Sequence, residues 1–321
     1  MTKVEIFAPV LICTLNRHVH FKRCVESLST CIHANETDLY ICLDYPSDES
    51  HWNGYNITKD YLPQIRGFKS VNITIRKTNF GVNENWSDMI SHVFEKYDRL
   101  IISEDDNLFA KSFLEFVNNG LNTYQHRNEI FSICGYLYPF KMLDRHALNA
   151  YMLPAFSAWG VGIWREKWNK VDFKLSSFNQ MLSIKNNYRQ LKKNYGPWFY
   201  HILQISKTED IKGDGYITLY LIHNKMYSIF PVNTKVVNIG YDGSGVNCGY
   251  NEIYSKQKVI EIPGDTNLSE DIHPDKEVLE VFYSNLRLTY IESVKASIPT
   301  NIKNAIKFKL NKYLKTKYIL E

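Results

Sequence analysis

Short apolar runs and longer amphipathic ones take turns along the first part of the chain. Val4 to Leu15 (VEIFAPVLICTL) is almost unbroken in its apolar character, the pattern of a strand covered on both faces, and Asn16-Arg17 ends it. Phe21, Val25 and Leu28 then recur at spacings of four and three, which predicts a helix with one buried face. Leu39 to Leu43 reads as a second buried strand, stopped by Asp44-Tyr45-Pro46. Residues 47–65 are polar and irregular, with a helix predicted near Thr58 to Ile65. Val71 to Ile75 predicts a third strand and Asn83 to Tyr97 another helix. Arg99 to Ile102 is a fourth strand that runs straight into Ser103-Glu104-Asp105-Asp106.

Strand and helix alternating at this pace argue for βαβ units and an α/β fold with a mostly parallel central sheet flanked by helices. In such sheets ligands bind beyond the carboxyl ends of the strands. Asn16, Asp44, Asn79 and Asp106 all fall at or near such ends. Further on, Phe113 to Tyr124 predicts a helix and Glu129 to Tyr138 a strand, and Ala155 to Trp164 is rich in glycine and tryptophan. Lys174 to Tyr195 reads as helical, Ile217 to Ile222 as a buried helical segment, and Ser228 to Ile239 as a strand containing Pro231. Gly240 to Gly249 (GYDGSGVNCG) carries four glycines in ten residues, too much backbone entropy for a regular element, and is a loop.

Charge changes the picture at one end. From Lys295 onward seven lysines face a single acid, Glu321. Ile302, Ile306, Leu310 and Tyr313 recur at helical spacing among them, so residues 299–320 predict a cationic amphipathic helix. Such a helix suits an anionic membrane surface, or it docks on the domain with its lysines in water. The rest of the chain has no basic patch with interleaved aromatics, so no nucleic acid is expected as partner. Six cysteines lack paired spacing and follow no signal-peptide pattern, the expectation for reduced thiols in the cytoplasm. No apolar run of eighteen residues predicts a membrane span.

Glu104-Asp105-Asp106 is the sharpest candidate for chemistry. Three acids at the end of a buried strand repel one another, and burial magnifies the cost unless a cation sits among them. Mn²⁺ or Mg²⁺ suits carboxylate and phosphate oxygens, and Mg²⁺ needs only one or two protein carboxylates when phosphate completes its shell. Asp106 is the expected direct ligand, with Asp105 orienting a ribose or a metal-bound water. The plain alternative is a solvated acidic turn. A nuclease or phosphatase metal site would want a second compact acidic cluster, which the sequence lacks.

These residues together resemble a known family. Pro9 to Arg17 (PVLICTLNR) resembles the first strand and turn of GT-A nucleotide-sugar transferases, and Asn79-Phe80-Gly81-Val82-Asn83 their asparagine-glycine stretch. Glu104-Asp105-Asp106 resembles the acidic metal motif of the N-acetylglucosaminyltransferases that start N-glycan branching. Ala158 to Trp164 (AWGVGIW), Ser228-Ile229-Phe230-Pro231 and Val237-Asn238-Ile239-Gly240 are similar to segments of bacterial family-2-like transferases of surface polysaccharides. The resemblance covers about residues 5 to 250. It implies a GT-A catalytic domain over 1–250, a C-terminal extension over 251–321, and an inverting displacement. The donor would be a nucleotide-diphosphate sugar, expected as a UDP-sugar, and the acceptor a glycan or lipid-linked glycan.

The resemblance assigns roles by position. Asp44 would contact the base, Asp105 the ribose, and Asp106 the metal bridging the diphosphate. Thr14, Asn16, Arg17, Asn79, Glu104, Trp159 and Gly160 complete the expected donor site. Asp214, within Lys212-Gly213-Asp214-Gly215-Tyr216, falls where relatives carry the base of a Trp-Asp-Tyr-like element, although Gly213 replaces the tryptophan. Asn247 stands where relatives often carry a loop histidine. Asp210 and then Glu209 are the alternative bases.

The chemistry needs these groups. Departure of a nucleoside diphosphate develops negative charge that a metal stabilises. An acceptor hydroxyl needs a carboxylate to take its proton, an effect of about 10²–10⁴-fold. Trp159, Trp164 and Tyr241 would wall the sugar pocket, or simply fill space beneath a loop. Since fold does not decide function, a noncatalytic nucleotide-sugar or glycan binding protein is the rival reading.

Overall fold

The computed structural model describes residues 7–143, 149–205, 213–242, 254 and 256–287. The apolar runs of the first third pair as parallel strands: β1 (Val10–Thr14), β2 (Asp38–Leu43), β3 (Ser70–Ile75) and β4 (Arg99–Glu104). β1 lies between β2 and β4, with Ile12 opposite Ile41 on one side and Ser103 on the other. Helices α1 (His18–Ser29), α2 (Trp52–Tyr61) and α3 (Gly81–Lys96) make the crossovers. Phe21, Cys24, Val25 and Leu28 form the buried stripe of α1, as the three-and-four spacing requires. Because a parallel crossover returns each strand to the same end, Thr14, Asp44 and Glu104 all emerge on one edge.

After the short β5 (Asn107–Phe109) come α4 (Phe113–Thr123), β6 (Ile130–Cys134), β7 (Ala150–Leu153) and β8 (Val161–Trp164). Helices α5 (Arg165–Trp168), α6 (Leu175–Ser183), α7 (Lys185–Asn194), α8 (Gly196–Ile205) and α9 (Asp214–Asn224) follow, then β9 (Tyr227–Pro231) and β10 (Val236–Asn238). The large sheet has the order β3-β2-β1-β4-β8-β6-β9-β7. Only β8 and β7 run against the other strands, so the α/β architecture with a mostly parallel sheet and flanking helices is present. β5 and β10 form a separate antiparallel ribbon with Asn107 opposite Asn238.

Several elements differ from the sequence expectation. Helix α2 begins at Trp52 rather than near Thr58; Gly54, Tyr55 and Thr58 are its buried side, and none of the three is an aliphatic residue that would show the period. The run Ser228 to Ile239 splits, because β9 belongs to the large sheet while β10 leaves to pair with β5. Lys174 to Tyr195 is two helices, broken where Ile184 turns extended at ψ 116°. The apolar pattern does not predict β5 or β7: both are short, and their pairing partners lie far along the chain.

The described residues 256–287 are strapped to the rest. Lys235, fully buried, pairs with Asp265 at 2.5 Å, and Tyr124 Oη donates to the Ser269 carbonyl at 2.7 Å. Arg127 donates to the carbonyls of Glu270 and Ile272, and α10 (Lys276–Leu286) buries Val278, Phe282 and Leu286. The predicted basic helix 299–320 lies outside the described residues. Among those described, no helix is long and apolar enough to cross a membrane, and Cys13, Cys24, Cys31, Cys42 and Cys134 are free thiols.

Candidate active site

The acids at the end of β4 are held by three separate arrangements. Asp105 Oδ2 accepts from Thr14 Oγ1 at 2.6 Å, across the β1–β4 pair. Burial and the neighbouring Asp106 push the Asp105 carboxyl up to about 6, against the pull of Thr14 and Arg17. Asp106 is 4% exposed, and its two oxygens accept from Arg17 Nη1 and Asn238 Nδ2, each at 2.5 Å. Burial opposes the Arg17 charge, but Asp106 and Asp105 outweigh it and hold the guanidinium protonated. Gly240 closes over this pair: its N–H donates to Asn238 Oδ1 at 2.8 Å, and a Cβ there would overlap Asp106 Oδ2.

Glu104 points toward the other side of the turn. Its Oε2 accepts from Trp159 Nε1 at 3.0 Å. Burial, and then the charges of Asp106, Asp214 and Asp105, push this carboxyl up to about 8. Among the described residues, Arg17 offsets the charge of Asp105 and Asp106, and these carboxyls hinder the ionisation of Glu104.

Asp44 and Asn79 come together as the sequence suggested, but they bind each other and the backbone. Asp44 accepts from the Tyr45 N–H at 2.8 Å, the Phe80 and Gly81 N–H groups at 2.9 Å, and Asn79 Nδ2 at 3.3 Å. Those four bonds use the acceptor sites a carboxylate has. Asp44 thus fastens the end of β2 to the amino end of α3. Asn16 is half-buried just beyond β1.

Trp159 connects the acids to a cleft. The cleft holds about 190 Å³ and is lined by Tyr136, Tyr138, Ser157, Trp159, Asp214 and the stacked pair Tyr241 and Tyr254. Asp214 is the first residue of α9 and is half-buried at this cleft, where its Oδ1 accepts from the Ala158 N–H at 3.1 Å. Burial pushes its carboxyl up to about 7, against the Ala158 bond. Asp210, Glu209 and Asn247 lie outside the described residues.

One expected pocket residue sits elsewhere. Trp164 is opposite Arg99, at the amino end of β4, because β8 runs antiparallel to β4; its indole donates to the Leu121 carbonyl at 3.2 Å and lies under the Lys167 amine. Gly160 takes φ +69°, and a Cβ there would strike the side chains of Phe113 and Val236, so the glycine is required by its backbone conformation and by this close packing. Asn238, Tyr136, Tyr138 and Tyr254 join the site without having been singled out for it. For Asn238 a signal existed in the Val237-Asn238-Ile239-Gly240 segment; the tyrosines were hidden among 22.

The acid turn suits a cation that a ligand helps to hold. Among the described residues no group of three or more His, Cys, Asp or Glu side chains forms a metal cage. The carboxyls held at raised values beside a single guanidinium nonetheless leave room for more positive charge, and Asp106 with phosphate oxygens is a sufficient donor set for Mg²⁺ or Mn²⁺.

Comparison with known proteins gives partial structural likenesses. No protein-family model matches the chain, and no curated protein matches it. A mannosyltransferase from Pyrobaculum calidifontis, solved with GDP-Man and Mn²⁺, overlaps 51% of this chain and 49% of its own at 11% identity and a TM-score of 0.33. GalNAc-T7, solved with UDP, GalNAc and Mn²⁺, overlaps 71% and 43% at 11% identity and 0.42. S. aureus TarS 1–349 overlaps 70% and 60% at 10% identity and 0.35. These neighbours are GT-A-type glycosyltransferases, and the chain spans less than two thirds of each.

Proposed function

We propose that this chain is an inverting, metal-dependent glycosyltransferase. It would move a hexosyl or N-acetylhexosaminyl group from a UDP-sugar to a glycan or lipid-linked glycan of a bacterial surface polysaccharide. The observation that carries the reading is the juxtaposition across Trp159. On one side stands an acid turn suited to cation and diphosphate; on the other, an aromatic cleft holds a carboxyl poised near neutrality.

In this reading Asp106 holds Mn²⁺ or Mg²⁺, with Arg17 and Asn238 fixing its carboxylate. The ion, when bound, supplies charge stabilisation for the departing diphosphate. Thr14 and Asp105 face the ribose, while Asp44 shapes the base pocket from behind by anchoring Phe80 and Gly81. Asp214 takes the proton of the attacking acceptor hydroxyl; a carboxyl near 7 is a stronger base than an ordinary one and is still half ionised at neutral pH. Trp159 places the transferred sugar between the two halves and excludes water from its face. Residues 299–320 would hold the protein at an anionic membrane where lipid-linked acceptors reside.

Donor turnover with Mn²⁺ tests the reading, comparing wild type with Asp106→Ala and Asp214→Ala. Turnover of a UDP-sugar by wild type, lost in both variants, is expected. Tight UDP-sugar binding with no turnover under any acceptor would support the noncatalytic alternative instead.

A further inference from the structure

One hydroxyl carried by the wall of the cleft is not used by the chemistry above. Tyr136 is fully buried and lines the cleft, yet its Oη has no hydrogen-bond partner among the described residues. The ring is held in place, edge-on to Trp159 at 4.6 Å and to Tyr138 at 5.3 Å, so the hydroxyl does not swing toward another acceptor. Tyr138, in the same wall, donates to the Phe156 carbonyl at 3.2 Å. Buried phenol hydroxyls are ordinarily paired, because an unpaired one forfeits its hydration for nothing. Phenylalanine would fill the same space without that cost. The hydroxyl therefore marks a position where a polar group belongs.

The surroundings indicate which kind. Trp159, Tyr241 and Tyr254 bring aromatic surface to the cleft, while Asp214 and Ser157 bring oxygen acceptors, the mixture that suits a pyranose ring with one apolar face and a polar rim. We infer that Tyr136 Oη is a specificity determinant, hydrogen-bonding a second hydroxyl of the acceptor sugar whose reacting hydroxyl faces Asp214. The inference rests on the transferase reading of this cleft and narrows it: the acceptor is a pyranoside with a free hydroxyl near the reacting one, and its deoxy analogue at that position is rejected. A site built to bond a hydroxyl discriminates far better than one built on apolar fit, because the analogue leaves a buried group unpaired.

The test uses the full chain and a panel of methyl α- and β-pyranosides of glucose, galactose, mannose, N-acetylglucosamine and N-acetylgalactosamine, with their monodeoxy forms. Affinities come from saturation-transfer NMR on wild type and Tyr136→Phe, a change that removes one oxygen and keeps the ring. At least one glycoside should bind wild type and weaken about tenfold or more in Tyr136→Phe. One of its monodeoxy forms should bind both proteins alike, and UDP affinity with Mn²⁺ should be the same in both. Should Tyr136→Phe not fold, a matching loss between the parent and deoxy glycosides on wild type supports the inference, and equal binding refutes it. Equal affinity of wild type and variant for every glycoside overturns it. So does the absence of glycoside binding by wild type that still turns over UDP-sugar, an outcome that leaves the transferase reading standing. Tyr136-dependent glycoside binding with no UDP-sugar binding removes that reading and, with it, the acceptor role given to Tyr136.

Discussion

Trp159 Nε1 and Glu104 Oε2 lie 3.0 Å apart, and this single bond joins the acid turn of β4 to the aromatic cleft. Trp159 is also edge-on to Tyr136 at 4.6 Å and to Tyr241 at 5.8 Å, so the indole is both wall and strut.

Trp159→Phe keeps a ring and deletes the donor. Glu104 then loses its described hydrogen bond in a half-buried position. Turnover should fall about tenfold, in line with the loss of one hydrogen bond to a partly buried carboxyl, while UDP affinity changes little. Separate kcat and KM values for donor and acceptor check this. An unchanged kcat would show that the strut is dispensable.

The pH profile follows from Asp214. Its carboxyl, raised to about 7 by burial, is protonated and useless as a base below that value. Turnover should therefore climb with pH through about 7 and level off above. Asp214→Asn should abolish turnover but keep UDP binding. A flat rate between pH 5.5 and 8.5 in wild type would remove Asp214 from the role.

Stability should move the other way. Glu104 and Asp105, raised to about 8 and about 6, bind protons more tightly folded than unfolded. Their contribution is complete below the unfolded carboxyl values near 4 and is lost as pH rises through about 6 and then about 8. The metal-free protein should thus lose melting temperature across that window relative to Glu104→Gln, and saturating Mn²⁺ should shrink the difference. Parallel melting curves of variant and wild type at every pH would contradict this.

How much of this was legible in the sequence depends on distance along the chain. The strand-end polar residues could be read because each buried strand is a contiguous apolar run that ends visibly, as Leu39 to Leu43 does before Asp44. What saturates Asp44 could not, since its donors Phe80 and Gly81 arrive only when α3 packs against β2. Trp164 was expected in the pocket because Trp159 and Trp164 flank one motif; the antiparallel direction of β8 sends them to opposite ends of the strand. Tyr136 and Tyr254 meet Asp214 from three separate segments, and no local pattern announces such a meeting.

Gly240 offers a steric prediction. In Gly240→Ala the new methyl meets Asp106 Oδ2, Arg17 Nη2 and the Asn238 Oδ1 that the Gly240 N–H bonds. Displacing that network should cost about 1–3 kcal/mol of stability and weaken Mn²⁺-dependent UDP binding. Chemical denaturation and titration calorimetry measure the two effects, and a variant normal in both would show that the loop yields freely.

The central claim is that the turn at Asp106 holds a divalent cation against a diphosphate. Calorimetric titration of UDP into the protein, with Mn²⁺ and then with EDTA, addresses it directly. Binding should weaken at least about tenfold in EDTA, and Asp106→Ala in Mn²⁺ should bind as weakly as wild type without metal. Equal UDP affinity in Mn²⁺ and EDTA would contradict the account.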